Sequence, residues 1–453
     1  MKKLWLALFL GAVLALAFGP SLLRRESAYD EELSIVSPHW QGIRVEFERA
    51  FSEHYLKTMG RRVRVVWLDF GSTGDIKNLI LERIGQAKKR GEAGIGIDLL
   101  FGGGADILPT LAASNAFERV PLPPDLEKQI PPSVGGQILH DEKNPYHATC
   151  LSSFGFVFNT KVIDKAKLPT PETWEDLGRP EFQGWIACGD PSLSGSLHAA
   201  FEIVLQSQGW EKGYATLGRM MSNTRAFSEG GPSVPRDVSL GQSAAGPCID
   251  FYATAPLRRQ GATHLKLVVP KGAAVASPDG IAMLRGAPNK KAATAFILFT
   301  MSEAGQKLWY QARGTPGGPV EYDLERLPIM PSIYDSDVKT NTVLNPFKAV
   351  DFTLDGKKSG GRWVILNHLM RAAWMDAHEE LFDARKAIID VGRDADLGAE
   401  LCKPFISEKE LSELTAKKMS ADEINALRNR WTALARDHYD TCRRAARAIV
   451  KVP

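Results

Sequence analysis

The strongest constraint on what this chain can fold into is a recurring unit. A short apolar run is followed by a polar or glycine-rich turn, and then by a stretch with apolar residues every three or four positions. Leu33 to Val36 precedes Ser37-Pro38-His39-Trp40 and the pattern Ile43, Phe47, Phe51, Tyr55, Met59. Val63 to Leu68 precedes Asp69-Phe70-Gly71-Ser72-Thr73-Gly74-Asp75 and then Ile76, Leu79, Ile80 and Ile84. Ile95 to Phe101 ends in Gly102-Gly103-Gly104. Strand–turn–helix alternation of this kind implies a parallel, doubly wound sheet, whose ligands collect beyond the carboxyl ends of its strands. Ser37, Ser72 and Gly102 fall at such ends.

A second glycine- and serine-rich loop, Gly189-Asp190-Pro191-Ser192-Leu193-Ser194-Gly195-Ser196, follows Trp185 to Cys188 and opens the helical pattern Leu197, Phe201, Val204, Leu205. A helix start leaves backbone N–H groups unpaired and carries partial positive charge. Singly, the Ser72 and Ser194 loops are ordinary N-caps; facing each other, they make a socket for a small anionic or polar solute.

Between and beyond these loops the reading is mixed α/β. The proline-rich connector Pro121 to Pro132 leads into Ala148 to Asn159, long enough for a strand that crosses between two domains. A helix is predicted from Trp210 to Met221, with strands at Ala245 to Tyr252, Leu265 to Val269 and Ala282 to Leu284. Two helical stretches follow from Lys290, and Gly314 to Pro319 reads as a tight turn. Past Asn341 the composition turns to charged, helix-forming sequence through Trp363 to Ile389 and Ser407 to Val450, with a capping box at Ser420-Ala421-Asp422-Glu423. This is predicted to be a helical tail packed on the body.

The N-terminus carries Lys2-Lys3 and an apolar stretch from Leu4 to Phe18, the layout of an export signal, with Ala15-Leu16-Ala17 as a cleavage site. The apolar run continues to Leu23 before Arg24-Arg25, which also fits an uncleaved anchor. Either way the body is expected to be exported, and no lipid-modified cysteine is expected near this segment. The five cysteines, Cys150, Cys188, Cys248, Cys402 and Cys442, are too scattered for a zinc module or disulfide scaffold, though Cys402 and Cys442 are placed to bridge two tail helices. With 56 basic against 53 acidic residues, the chain lacks the charge footprint of a nucleic-acid binder.

Catalytic motifs are missing: no Walker loop, dinucleotide fingerprint, HExxH or GxSxG is present. Ser336-Asp337-Val338-Lys339 has Ser-x-x-Lys spacing without supporting motifs. Ser194 or Ser196 with His198 suggests a nucleophile and base, but capping explains the serines. The nine histidines show no metal-ligand spacing; His39 is singled out by its strand-end loop. Asp250 and Tyr252, in Cys248-Ile249-Asp250-Phe251-Tyr252-Ala253, alternate along the predicted strand and would share one face, as a ligand-holding pair or as a buried hydrogen-bonded one.

The chain resembles the extracellular solute-binding proteins of ABC importers, in the branch with ferric-ion, 2-aminoethylphosphonate and hexose-phosphate receptors. The resemblance is carried by Thr173-Trp174-Glu175-Asp176-Leu177 with Pro180-Glu181-Phe182-Gln183-Gly184, by the Gly189 to Ser196 loop, by Ser277 to Asn289, and by Ser302-Glu303-Ala304-Gly305-Gln306-Lys307-Leu308-Trp309. Asp376-Ala377-His378-Glu379-Glu380-Leu381 is similar to a C-terminal element of one subgroup. The resemblance implies a type II periplasmic-binding-protein fold, with two doubly wound α/β lobes around a ligand cleft and a helical C-terminal extension. Its expected boundaries are a signal or anchor at 1–25, lobe 1 at 31–147 with 270–340, lobe 2 at 148–269 and the extension at 341–453. It implies a non-catalytic receptor, without cofactor and monomeric, that closes on a small anionic solute outside the cytoplasm and delivers it to an inner-membrane ABC permease. The implied contacts are Ser37, Trp40, Ser72, Thr73 and Gly103 on one lobe and Ser194, Gly195, Ser196, Asp250 and Tyr252 on the other. A ferric site, which would use His39, Asp250 and Tyr252, ranks lower because Phe251-Tyr252 stands where ferric receptors of the branch carry two tyrosines. An exported hydrolase and a tethered interaction protein remain the rival readings.

Overall fold

The computed structural model describes residues 28–104, 107–228, 230–254, 261, 263–335, 339–340 and 344–449. The predicted leader and Ser336 to Val338 lie outside them. One mixed sheet runs through the molecule in the order β2-β1-β3-β9-β4-β7-β5-β6. Its strands are β1 (Glu31–Val36), β2 (Val63–Leu68), β3 (Leu99–Phe101), β4 (Tyr146–Asn159), β5 (Ile186–Gly189), β6 (Thr224–Ser228), β7 (Ala245–Ile249), β8 (Leu265–Val268) and β9 (Ala276–Leu284). A two-residue strand, β10 (Leu327–Pro328), and β8 both pair with β4. β1, β2 and β3 are parallel, as are β5, β6 and β7, while β4 and β9 run antiparallel to their neighbours.

β4 is the shared spine. Its first half, up to Ser153, pairs with β9, and its second half, Phe154 to Phe158, pairs with β7. The sheet is covered on both faces, as parallel sheets must be. In the first lobe Leu33, Ile35, Leu99 and Phe101 pack one way, onto α1 (Gln41–Met59) and α6 (Lys290–Met301) with Phe47, Phe51 and Phe296. Val36 and Leu100 pack the other way, with Ile76 and Ile80 of α2 (Thr73–Arg90). In the second lobe Phe154, Phe156 and Phe158 join one core while Val157 joins Ala187, Leu197 and Val234 in another.

The C-terminal helices share their core with the second lobe. α8 (Gly356–Met370), a π-helical turn at Arg371–Met375, α9 (His378–Asp390) and α10 (Ala421–Ile449) contribute Ile365, Leu369, Trp374, Leu381, Ile388 and Trp431 to the cluster that holds Phe201, Tyr214 and Met221. α10 presents Leu427, Trp431, Ala435, Tyr439 and Ala446 as a buried stripe at helical spacing. Its start carries the expected box, Glu423 N–H on Ser420 Oγ at 3.2 Å and Ser420 N–H on the Glu423 carboxylate at 2.7 Å. Among the described residues no helix is long and apolar enough to cross a membrane.

Several expectations are corrected. Residues 95–98 are not strand, since Gly96 turns the chain at φ +75°, and Asp98 bonds Ser34 and the N–H of Asn289 at 2.6 Å. The strand expected at Ala282 to Leu284 begins at Ala276 and runs through Asp279-Gly280 with a bulge. β7 stops at Ile249, and Asp250–Ala253 forms a helical turn, α5, so Asp250 and Tyr252 do not alternate along a strand. Cys402 and Cys442 are buried free thiols rather than a bridge. Each fills a slot in the shared core, Cys402 beside Gly218 of α4 (Trp210–Ser222) and Cys442 beside His438.

Candidate ligand-binding cleft

The first-lobe strand ends supply one wall. Ser37, after β1, is fully buried, and its Oγ accepts the His39 N–H at 3.1 Å. Trp40 caps α1 and sets its ring 5.5 Å from Tyr322. Ser72 caps α2 by accepting the Asp75 N–H at 3.2 Å, while its hydroxyl donates to the Asp75 carboxylate at 2.6 Å. That helix start therefore carries its own negative charge. Gly102 and Gly103, after β3, hold φ of +94° and +111°, and a Cβ at Gly102 would lie 2.6 Å from His39 Nε2. A Cβ at Gly103 would lie 3.5 Å from the Thr73 methyl, so Thr73, Gly103 and His39 are gathered at one edge.

Behind this wall lies an ionic floor. Asp279, at the β9 bulge, receives His39 Nε2 at 3.1 Å, the Gly104 N–H at 3.0 Å and Arg326 Nη2 at 2.9 Å. Bulges commonly re-aim a side chain in this way. Burial pushes the Asp279 carboxyl up, but His39, Arg326 and the Gly104 amide overcome it and hold it well below the usual range. Burial lowers His39 more than Asp279 raises it, and its Nε2 faces the Asp279 carboxylate. Arg326 is 1 % exposed, and its guanidinium stands 4.3 Å from the Phe251 ring centroid and 5.8 Å from that of Trp309. Among the described residues its Nε has no hydrogen-bond partner.

The second lobe supplies the opposing wall. Asp250 is buried and accepts the Ser153 N–H at 2.8 Å and the Phe251 N–H at 2.7 Å. Taking the Ser153 amide ends the β4–β7 ladder and starts α5. Burial pushes the Asp250 carboxyl up to about 6, with Arg326 and the two amides pulling the other way. Burial also raises the Tyr252 phenol. Ser194 caps α3 (Gly195–Gln208), accepting the Leu197 N–H at 3.4 Å, and its Oγ lies 3.1 Å from Ser196 Oγ. Gly231 defines the cradle: a Cβ there would stand 2.7 Å from Ser196 Oγ, 2.8 Å from Ser194 Oγ and 3.2 Å from Tyr252. Two hydroxyls at a helix start and one tyrosine thus surround a residue without a side chain. Gly195 sits at the first position of that helix. His198 is fully buried, with Nδ1 2.9 Å from Asn367 Oδ1 and its ring 3.8 Å from Trp363, so it packs into the tail.

The structure therefore joins Ser194, Ser196 and Tyr252, and separately Thr73, Gly103 and His39, with Asp250 buried at the first position of the turn that carries Tyr252. It commits Ser37 and Ser72 to hydrogen bonds in their own turns. Sequence reasoning missed Gly231, Asp279 and Arg326. A sequence signal for Arg326 existed, a charged pair Glu325-Arg326 set between Leu324 and the apolar run Leu327 to Met330.

Residues 97–330 match the family model described as bacterial extracellular solute-binding protein, more than half of the chain. The phosphoglycerate transport regulatory protein PgtC of Salmonella typhimurium is 33% identical over 161 residues, 36% of this chain. That match spans only 40% of PgtC's own length. The periplasmic binding protein P5PA superposes with a TM-score of 0.55 at 20% identity, covering 73% of this chain and 95% of P5PA. AfuA from Actinobacillus pleuropneumoniae, with exogenous fructose-6-phosphate bound, gives a TM-score of 0.50 at 23% identity, over 61% of this chain and 81% of AfuA. The two lobes joined by β4 and β9, the cleft at their strand ends and the matched family model lead to one assignment: this chain belongs to the bacterial extracellular solute-binding proteins.

Proposed function

We propose that the chain is a non-catalytic, periplasmic receptor that binds a small solute bearing a phosphate ester or similar anionic group and delivers it to an ABC permease. The observation that carries this reading is the cradle at Gly231, where Ser194, Ser196 and Tyr252 meet at the start of α3, the Tyr252 ring standing 4.4 Å from that of Phe251. A helix start offers N–H groups and partial positive charge to an oxyanion, and serine hydroxyls add donors. Arg326 lies over the neighbouring Phe251 ring with its charge matched by Asp279, so the helix start and the two hydroxyls are the donors offered to an anion. Thr73, Gly103 and Trp40 are the proposed contacts from the other lobe, brought in by hinge closure. The lobes are taken as 31–147 with 270–340 and 148–269, and the helical extension as 341–453. The names of two relatives point to the same chemistry, since PgtC is named for phosphoglycerate transport and AfuA was solved with fructose-6-phosphate.

The test is a melting series with phosphoglycerate, fructose 6-phosphate, inorganic phosphate, citrate and ferric citrate, because a ligand that binds only the folded state raises the melting temperature. A concentration-dependent rise with a phosphate ester supports the reading. A rise with ferric citrate and none with the esters overturns it.

A further inference from the structure

The helical extension reaches the second-lobe loop through a chain of charges. Asp190, 2 % exposed, opens that loop and accepts both the N–H and the hydroxyl of Ser192 on one oxygen, at 2.8 and 2.6 Å. Its other oxygen is paired with Arg371. Arg371 lies at the start of the π-helical turn, and its Nε stands 3.6 Å from Asp376. Asp376 is in turn held in bidentate fashion by Arg428 of α10, at 2.6 and 2.8 Å, and its carbonyl accepts Arg436 at 2.7 Å. The same tail touches the first turn of α3 again, because a Cβ at Gly195 would lie 3.7 Å from Trp363. A π-turn inside a helix is a recurrent mark of a functional position, since it re-aims the side chains it carries. Arg371, Asp376 and Arg428 all lie beyond the residues that match the family model.

We infer that Arg371 is a positioning residue: the chain Asp190–Arg371–Asp376–Arg428 lets the helical extension set the conformation of the Ser192–Ser196 loop, and so couples the tail to solute affinity. The link to affinity rests on the proposed reading of Ser194 and Ser196 as anion contacts. The positioning itself does not. Asp190 orders the turn only while its second oxygen is neutralised, because a carboxylate buried without its cation is unfavourable and the turn must open to rehydrate it. The tail thus acts as a brace on the loop, and a break at any link loosens the same short segment.

Hydrogen exchange on the full chain reads this directly. In Arg371→Gln the backbone amides of residues 190–197 should exchange on the order of tenfold faster, with first-lobe strands unchanged. Arg371→Lys keeps a cation against Asp190 and should recover most of the protection. Arg444→Gln, at the far end of α10 with Asp440 as its ion pair, should have no effect. Should Arg371→Gln fail to melt cooperatively, Arg428→Gln severs the chain two links from the loop and should raise exchange at 190–197. Unchanged exchange there in a folded Arg371→Gln, or a uniform rise across the second lobe, overturns the inference. In parallel, affinity for fructose 6-phosphate and phosphoglycerate should fall on the order of tenfold in Arg371→Gln. If the native protein binds neither ester, the functional reading falls while the exchange result still decides whether Arg371 positions the loop.

Discussion

Arg326 and Asp279 meet at 2.9 Å, with side chains only 1 % and 9 % exposed, where β4 and β9 pass between the lobes. Two permanent charges out of water cost several kcal/mol each and persist only when matched. Asp279 also binds the Gly104 amide and His39 of the first lobe, while Arg326 covers Phe251 of the second. The pair is thus a junction between the walls of the cleft.

Replacing Arg326 should be costly for that reason. Arg326→Gln leaves Asp279 buried without its cation and is expected to lower unfolding free energy by about 3–5 kcal/mol. Urea titration measures it, and a loss below about 1 kcal/mol would assign the pair no structural weight.

Gly231→Ala separates binding from folding. The added methyl would sit within 2.8 Å of both serine hydroxyls, at a position whose φ is not in the left-handed region. Binding of a phosphate ester should weaken by on the order of tenfold or more, about 1.4 kcal/mol per factor of ten, while stability falls only by what the displaced Ser194 cap contributes, about 1 kcal/mol. Native-like affinity in this variant would place the solute elsewhere.

The two helix starts should behave differently. Ser72→Ala removes a capping box that the helix satisfies internally, so it should cost about 1 kcal/mol of stability and leave binding intact. Ser196→Ala should do the reverse. Equal losses of affinity in the two variants would restore the symmetric socket.

Asp250 sets a pH dependence. Its folded pKa, about 6, lies above the ordinary 3.8, so its contribution to stability is fully present below the lower value and is lost as pH rises through the upper one. That interval corresponds to roughly 3 kcal/mol. Asp250→Asn should flatten the fall in stability between these pH values relative to the native protein, as thermal melts across the range would register. An unchanged slope would mean that another group titrates there.

Local signals were legible wherever one residue type dictates one conformation. Val63 to Leu68 is a strand over the expected span, Ser194 and Ser420 cap their helices, and the length of β4 announced a strand shared by two lobes. What was illegible depends on distant partners. Ser277-Pro278-Asp279-Gly280 lay outside the strand expected at Ala282 to Leu284, yet pairing with β4 holds it in that strand, with a bulge at Asp279-Gly280. Asp250 looked like a strand residue until the Ser153 amide took its carboxylate. Arg326 becomes meaningful only beside Asp279 and Phe251, which lie far from it in sequence.

A phosphate-bearing solute is proposed to bind at the start of α3, in the cradle at Gly231. Isothermal titration of the native protein and of Gly231→Ala with fructose 6-phosphate and phosphoglycerate tests it most directly. Saturable one-to-one binding of at least one ester to the native protein is expected, weakened on the order of tenfold or more by the added methyl. Binding that Gly231→Ala leaves untouched, or a native protein that takes up ferric ion and neither ester, would contradict it.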